Sequence, residues 1–161
     1  MFNIVLVEPE IPNNTGNIGR TCVGTDCTLH LVEPFGFEIS DKQLKRAGLD
    51  YWPYLKWKTY GDFSAWKASV SDPSRVFFFS KKSERSFFEV EYQPGDWFVY
   101  GKETKGLSDE ILNQHAAQTV TIPMFGPIRS LNLANAVSVA IYEGIRQVSS
   151  TRHNDNKFLE L

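Results

Sequence analysis

At 161 residues, with 42% hydrophobic and 14% aromatic side chains, the chain has enough apolar surface for one folded core and is short for two. That aromatic content excludes a disordered chain, and no apolar run approaches the roughly 20 residues that a bilayer-spanning helix needs. The net charge of −2 argues on its own against a nucleic-acid binder, but it is unevenly placed: residues 1–41 sum to −5, 42–85 to +6 and 86–161 to −3.

Residues 2–7 form a short β-rich run of the kind buried in a parallel sheet. Met1 to Val7 lacks a basic leader and meets Glu8 and Glu10 at once, so no signal peptide is expected. With Cys22 and Cys27 as the only cysteines, the expectation is a reduced, cytoplasmic protein. Pro9 and Pro12 make a loop of 8–13. Asn14 and Thr15 are good N-caps, and a helix is expected from Thr15 to Gly24. A second strand spans 28–32 and stops at Pro34 and Gly36. Asp41 caps a basic helical turn over 42–46, and Asp62 caps a helix over 63–70. Strands follow at 75–80 (RVFFFS) and 97–100 (WFVY). Ser108 caps a helix to about 114, a strand runs 119–122 to Pro123, and the longest helix is expected over 130–148. Short apolar strands separated by helices predict an α/β fold with a mainly parallel sheet: a single domain over 1–148 and a polar tail over 149–161.

Three segments at strand ends are unusual, and ligands of such sheets bind there. The first, N-T-G-N-I-G-R at 14–20, lacks the glycine spacing of dinucleotide and triphosphate loops. It ends on Arg20, which could reach a phosphate or hydroxyl or be a plain surface arginine. The second, G-K-E-T-K-G at 101–106, brackets Glu103 with glycines. That carboxylate could accept bonds from the N–H groups of the next helix, orient a catalytic partner, or simply cap the turn. The third runs from Ile122 to Ala136 and sets Arg129, Ser130, Asn132 and Asn135 at the mouth of the long helix. Asparagine is a poor helix former in first turns unless its amide binds something. That helix, with Leu131, Leu133, Ala134, Ala136, Val137, Val139, Ala140, Ile141, Ile145 and Val148, is wider in its apolar face than one core stripe. A partner subunit is the expected cover. His30, His115 and His153 are scattered, so no metal site is expected. Trp52, Trp57 and Trp66 could stack on bases or fill the core.

Together, N-T-G-N-I-G-R at 14–20, G-K-E-T-K-G at 101–106, and I-P-M at 122–124 with R-S-L-N-L-A-N-A at 129–136 resemble the SPOUT class of RNA methyltransferases. The opening V-L-V-E-P-E-I-P-N-N-T-G-N and R-A-G-L-D-Y at 46–51 are similar to its minimal, single-domain branch, which methylates the ribose 2′-oxygen at the tRNA wobble position. The resemblance implies a parallel sheet closed by a C-terminal trefoil knot, an exception to the rule against threading. It also implies S-adenosylmethionine as cofactor and a homodimer with the site at the subunit junction. By position, Phe79, Gly101, Ile122, Met124, Ser130, Leu131 and Asn135 would touch the cofactor. Arg20 would be the catalytic arginine, with Asn132, Glu103 and Tyr142 as further participants. Asn17, Lys42, Lys45, Arg46 and Arg129 would meet the tRNA. Two positions depart from the family: Gly19, where Ile or Ala is commoner, and Lys105 in place of a frequent Arg. Three readings stay open at this point: the wobble-ribose enzyme, the same chemistry on another RNA site, and a cofactor- or RNA-binding protein without catalysis.

Overall fold

The structure is a computed structural model that describes residues 1–37 and 50–151. Six strands, β1 (Asn3–Val7), β2 (Thr28–Val32), β3 (Trp57–Tyr60), β4 (Val76–Phe79), β5 (Trp97–Tyr100) and β6 (Thr119–Val120), form a sheet in the order β3-β2-β1-β5-β4-β6. All five pairings are parallel. Among the described residues the α-helices are α1 (Pro12–Gly24), α2 (Phe63–Ala68), α3 (Asp109–Gln114) and α4 (Leu133–Thr151).

The apolar runs of β1, β2, β4 and β5 are buried on both faces, because helices cover each side. One core gathers Ile4, Leu6, Leu29, Leu31 and Phe98 with Ile18 and Cys22 of α1 and Val137, Ala140 and Ile141 of α4. The other gathers Val5, Val7, Val99 and Phe78 with Trp66 of α2 and Leu112 of α3. Gly144 of α4 lies so close to the Phe2 ring that a Cβ there would stand 2.7 Å from it. The lower edge is pinned by buried Asp96, which accepts from Arg75 Nε at 2.7 Å and Arg75 Nη2 at 2.5 Å.

The mainly parallel α/β architecture expected from the sequence is present, and β2 and β5 lie where they are expected. The bounds of β1, β4, β6 and α2 are shorter than expected and α4 runs on to Thr151; three further differences have a structural reason. β3 has no counterpart in the sequence reading: it is an edge strand with three exposed residues, so it lacks the apolar signal that marks its neighbours. α1 begins at Pro12, three residues before Thr15, and no side chain of its own first turn caps it. α4 begins at Leu133 rather than 130, because residues 129–132 form the wall of a cavity and the Asn132 side chain accepts from Ala134 N–H at 2.9 Å. The basic turn at 42–46, with Lys42, Lys45 and Arg46, lies outside the described residues, as do the tail beyond 151 and His153.

Of the wide apolar face of α4, Ala134, Val137, Ala140, Ile141 and Val148 are buried within the chain, and Leu133, Ala136 and Ile145 are partly buried. Only Val139 among those residues is exposed, with Tyr142 beside it at 60%. Most of the width that suggested a partner is therefore absorbed by the chain's own sheet and α1. Trp66 is likewise core, while Trp52 and Trp57 pack on each other with ring centroids 5.5 Å apart.

Candidate active site

The strand order reverses between β1 and β5, which leaves their outgoing loops, 8–11 and 101–106, on either side of a crevice. Two carboxylates bridge it reciprocally. Glu103 accepts from the backbone N–H of Glu10 at 2.8 Å and Ile11 at 3.2 Å, and from Asn14 Nδ2 at 3.1 Å. Glu10 in turn accepts from Thr104 N–H at 3.1 Å and Thr104 Oγ1 at 2.7 Å. Those two bonds hold the Glu10 carboxyl below the usual range. Lys102 pairs with Glu8 at 2.6 Å, which holds its ammonium pKa up. Glu8 sits at φ 54, a left-handed conformation uncommon outside glycine and worth notice at a binding crevice.

Glu103 thus fastens the chain that enters α1 rather than the helix's own first N–H groups, and its negative charge sits near the positive end of the helix dipole. The direction differs from the expectation. Its partners are the N–H groups before α1, far back in the sequence, not those of α3; Ser108 caps α3. With both oxygens engaged, the carboxylate serves as an anchor. The network continues through Asn14, whose Oδ1 accepts from Asn132 Nδ2 at 3.0 Å. Glu103, Asn14, Asn132 and the start of α4 are one chain of hydrogen bonds. Gly101 makes the loop possible: a Cβ there would meet the backbone of Gly106 at 2.1 Å.

Beside this clamp lies a cavity of about 240 Å³ at the C-terminal ends of β4, β5 and β6. Phe79, Tyr100, Ile122, Met124, Leu131 and Leu133 give it apolar walls, and the 101–106 loop, Thr121, Ser130 and Asn132 line it with polar groups. Phe79 stacks on Tyr100 at 4.7 Å. Burial pushes the Tyr100 phenol well above its ordinary pKa, so its proton stays in place.

Phe79, Gly101, Glu103, Ile122, Met124, Arg129, Ser130, Leu131 and Asn132 all line this one cavity. Asn135 does not; it is exposed on α4. Arg20 and Asn17 do not line it either, but face outward from α1. The Arg20 side chain is 65% exposed, 3.4 Å from Asp50 and 4.9 Å above the Tyr51 ring. Tyr142 is exposed on α4, whose Ser138 hydroxyl lies 3.1 Å from Thr21 of α1, so the two helices share an outer face. Gly19 has a packing reason: a Cβ there would stand 3.2–3.5 Å from Leu55, Trp52 and Tyr51, which lie across α1. Sequence reasoning missed Asn14, read only as a cap, and the lysines Lys81, Lys82 and Lys102 on the cavity rim. Among the described residues, no three His, Cys, Asp or Glu side chains gather as a metal site would need, and no helix is long and apolar enough to cross a membrane.

Residues 1–142 match the model of the SpoU rRNA Methylase family. A tRNA (cytidine(34)-2′-O)-methyltransferase of Burkholderia pseudomallei is 46% identical over 149 residues, covering 91% of this chain and 96% of its own. The protein of that name in Escherichia coli is also 46% identical over 149 residues, covering 92% of this chain and 94% of its own. A solved structure concerned with 2-OH methylation of C/U34 on tRNA superposes with a TM-score of 0.86 at 45% identity, covering 93% of this chain and 97% of that one. With two motif segments lining one cavity, the first tied to them through Asn14, and nearly the whole chain matched, this protein belongs to the SpoU methylase family.

Proposed function

We propose that the chain transfers a methyl group from S-adenosylmethionine to the ribose 2′-oxygen of the wobble nucleotide in the tRNA anticodon loop. The observation that carries this is the cavity built from the second and third motif segments, with the first clamped against it, on a chain similar over 91% of its length to a protein named for that reaction. The donor set fits the cofactor. Phe79, Ile122, Met124, Leu131 and Leu133 offer an apolar slot for a flat base, and the 101–106 backbone and Ser130 offer polar partners for its ribose and amino-acid ends. When bound, the cofactor supplies an electrophilic methyl on a positively charged sulfur.

The chain's own work is alignment and charge. Glu103, Asn14 and Asn132 hold the 101–106 loop, α1 and the start of α4 in one arrangement. Arg20 stabilises the oxygen as its proton leaves; a guanidinium does not deprotonate, so a phosphate of the RNA is the better acceptor. Arg20 faces away from its own cavity. The reading therefore includes a homodimer in which the outer face of α1 and α4, with Asn17, Arg20, Val139 and Tyr142, lies against a second copy and brings Arg20 to that copy's cavity. It also includes the C-terminal trefoil knot, one domain to about residue 148, a cytoplasmic location and no metal requirement.

The test is methyl transfer from labelled S-adenosylmethionine to total tRNA, with and without chelator, followed by mapping of the modified nucleotide. Label on the 2′-oxygen of the wobble residue is expected in both arms. Label elsewhere, no label, or a chelator-sensitive signal would overturn the corresponding part of the reading.

A further inference from the structure

The charge around the cavity is out of balance with what the cavity is proposed to hold. Its lining includes Lys81, Lys82, Lys102, Lys105 and Arg129 against one acid, Glu103, whose oxygens are spent on the α1 clamp. Lys82 is paired with Asp109 at 2.5 Å and Lys102 with Glu8 at 2.6 Å. Lys81, Lys105 and Arg129 have no carboxylate partner among the described residues, and all are exposed. S-adenosylmethionine carries a sulfonium, an ammonium and one carboxylate. One rim cation can answer that carboxylate; the rest repel the group they surround. Such a rim is favourable only when a further anion lies across the mouth.

Beside this rim stands a side chain with no role in the fold. Phe125 is 96% exposed, and Ile128 in the same loop is 59% exposed, while Met124 and Arg129 on either side of them line the cavity. Pro123, Gly126 and Pro127 frame the loop, and the two prolines restrict the backbone that presents the ring. An aromatic face next to unpaired cations is the pattern that receives single-stranded nucleic acid: bases stack on the ring and phosphates meet the cations.

We infer that Lys81, Lys105 and Arg129, with Phe125 as stacking platform, form a docking rim for an unpaired stretch of RNA backbone and one splayed base at the cavity mouth. This rests on the functional reading above and adds where the substrate enters. The bound phosphates neutralise the rim, so RNA and cofactor favour each other's binding.

The experiment measures binding of a synthetic anticodon stem-loop RNA to the full chain over a range of salt, by anisotropy, alongside calorimetry with S-adenosylmethionine and sedimentation. Lys81→Gln with Lys105→Gln should reduce the slope of log affinity against log salt by ~0.7 for each phosphate that is no longer neutralised. Phe125→Ala should weaken RNA binding about tenfold or more with that slope unchanged, and Phe125→Trp should restore it. Cofactor affinity should rise when RNA is present at low salt. An unaltered slope in the double variant overturns the cationic rim. If Phe125→Ala leaves RNA affinity intact and shifts the monomer–dimer balance, the ring is a subunit contact and the platform is overturned. Wild-type chain that neither binds nor methylates the RNA refutes the functional reading itself; normal wild type with indifferent variants refutes only the rim.

Discussion

Asn14 and Arg20 belong to the same motif and the same helix, yet they are finished to different degrees. Asn14 is buried, bonded to Glu103 on one side and Asn132 on the other. Arg20 is six residues on, which at about 3.6 residues per turn places it about 120° round α1 from Asn14, on the exposed side of the helix. There, among the described residues, it meets an exposed aspartate at long range and the face of one tyrosine. The inner face of α1 is tied to the cavity loop within the chain, whereas its outer face carries a charged group. On the proposed reading, one copy builds the cofactor side of the reaction and a second copy supplies Arg20.

The largest expected effect lies on the inner face. Glu103→Ala removes the acceptor of three donors and frees the entry to α1, so chemical denaturation should show a loss of about 3 kcal/mol. Cofactor affinity, read by calorimetry, should fall with it, because the 101–106 loop loses its fastening. Glu103→Gln retains an acceptor oxygen and should recover part of both. Unchanged stability and affinity in Glu103→Ala would show that the clamp is incidental to the cavity.

Next comes the outer face. Arg20→Ala should lower turnover by roughly a hundredfold, about 2.7 kcal/mol in the barrier, the scale for losing one preorganised donor. Stability should barely move, since an exposed pair such as Arg20–Asp50 is worth ~0–1 kcal/mol. Cofactor affinity should also be retained. Arg20→Lys should not restore turnover fully, because an ammonium lacks the planar fork. Near-normal turnover in Arg20→Ala at saturating tRNA and cofactor would leave Arg20 as an ordinary surface arginine and break the contrast between the two faces.

The inner residues are legible in the sequence only in part, and the reason is physical. β5 is readable to the residue because a buried strand is an apolar run, and β2, although His30 interrupts it, because Pro34 and Gly36 mark its end. The start of α1 is not: the residue that fastens its entry, Glu103, lies about ninety residues away, and no local pattern signals a partner that far off. Gly19 looks like a weakness in the helix until Tyr51, Trp52 and Leu55 are placed against it. The breadth of α4 is visible, but breadth cannot tell a subunit interface from a helix wedged between sheet and α1, and most of it is the latter. The cavity residues are found through motif resemblance, which takes in Lys102 without giving it a role, while Lys81 and Lys82 draw no notice, because surface lysines outside a motif have no spacing that sets them apart.

A third region tests whether pH effects can be kept apart from both faces. His30 is buried at the lower edge of the sheet, its Nδ1 2.9 Å from Tyr60 Oη and its Nε2 3.2 Å from Asn3 Oδ1. Burial, with Lys58 adding repulsion, pushes its pKa from 6.5 down to about 4. The folded state thus refuses a proton that the unfolded chain accepts. The stability contribution is full above pH 6.5 and is lost as pH falls toward 4. Between pH 7 and 5 the chain should lose about 2 kcal/mol from this group. The partly buried His115 at the end of α3, its pKa also lowered by burial, adds in the same direction. His30→Gln should flatten the decline measured by urea denaturation at the two pH values. An equally steep decline in that variant would place the effect in other groups.

The smallest effect on the fold belongs to Val139, and that makes it the cleanest probe of assembly. Val137 and Ile141 are fully buried against the sheet, so a charge at either would unfold the chain and report nothing about a partner. Val139 is 41% exposed and Tyr142 60% exposed, on the face that α4 shares with Arg20 of α1. In an isolated chain, Val139→Lys meets water, and stability should change by no more than about 0.5 kcal/mol. In the proposed dimer the same lysine enters an apolar contact, where an unpaired charge is costly. Sedimentation should then find wild type as a dimer and Val139→Lys shifted to monomer at micromolar concentration, with thermal midpoints of the monomer nearly equal. Turnover should fall with dissociation, because Arg20 no longer reaches a neighbouring cavity. Mixing Arg20→Ala with a cavity variant such as Gly101→Val gives a further check. Each homodimer should be inactive, but the mixed dimer pairs one intact Arg20 with one intact cavity and should regain part of the activity. Full activity in a monomeric Val139→Lys chain would show that Arg20 serves its own cavity and that both faces of α1 act within one molecule.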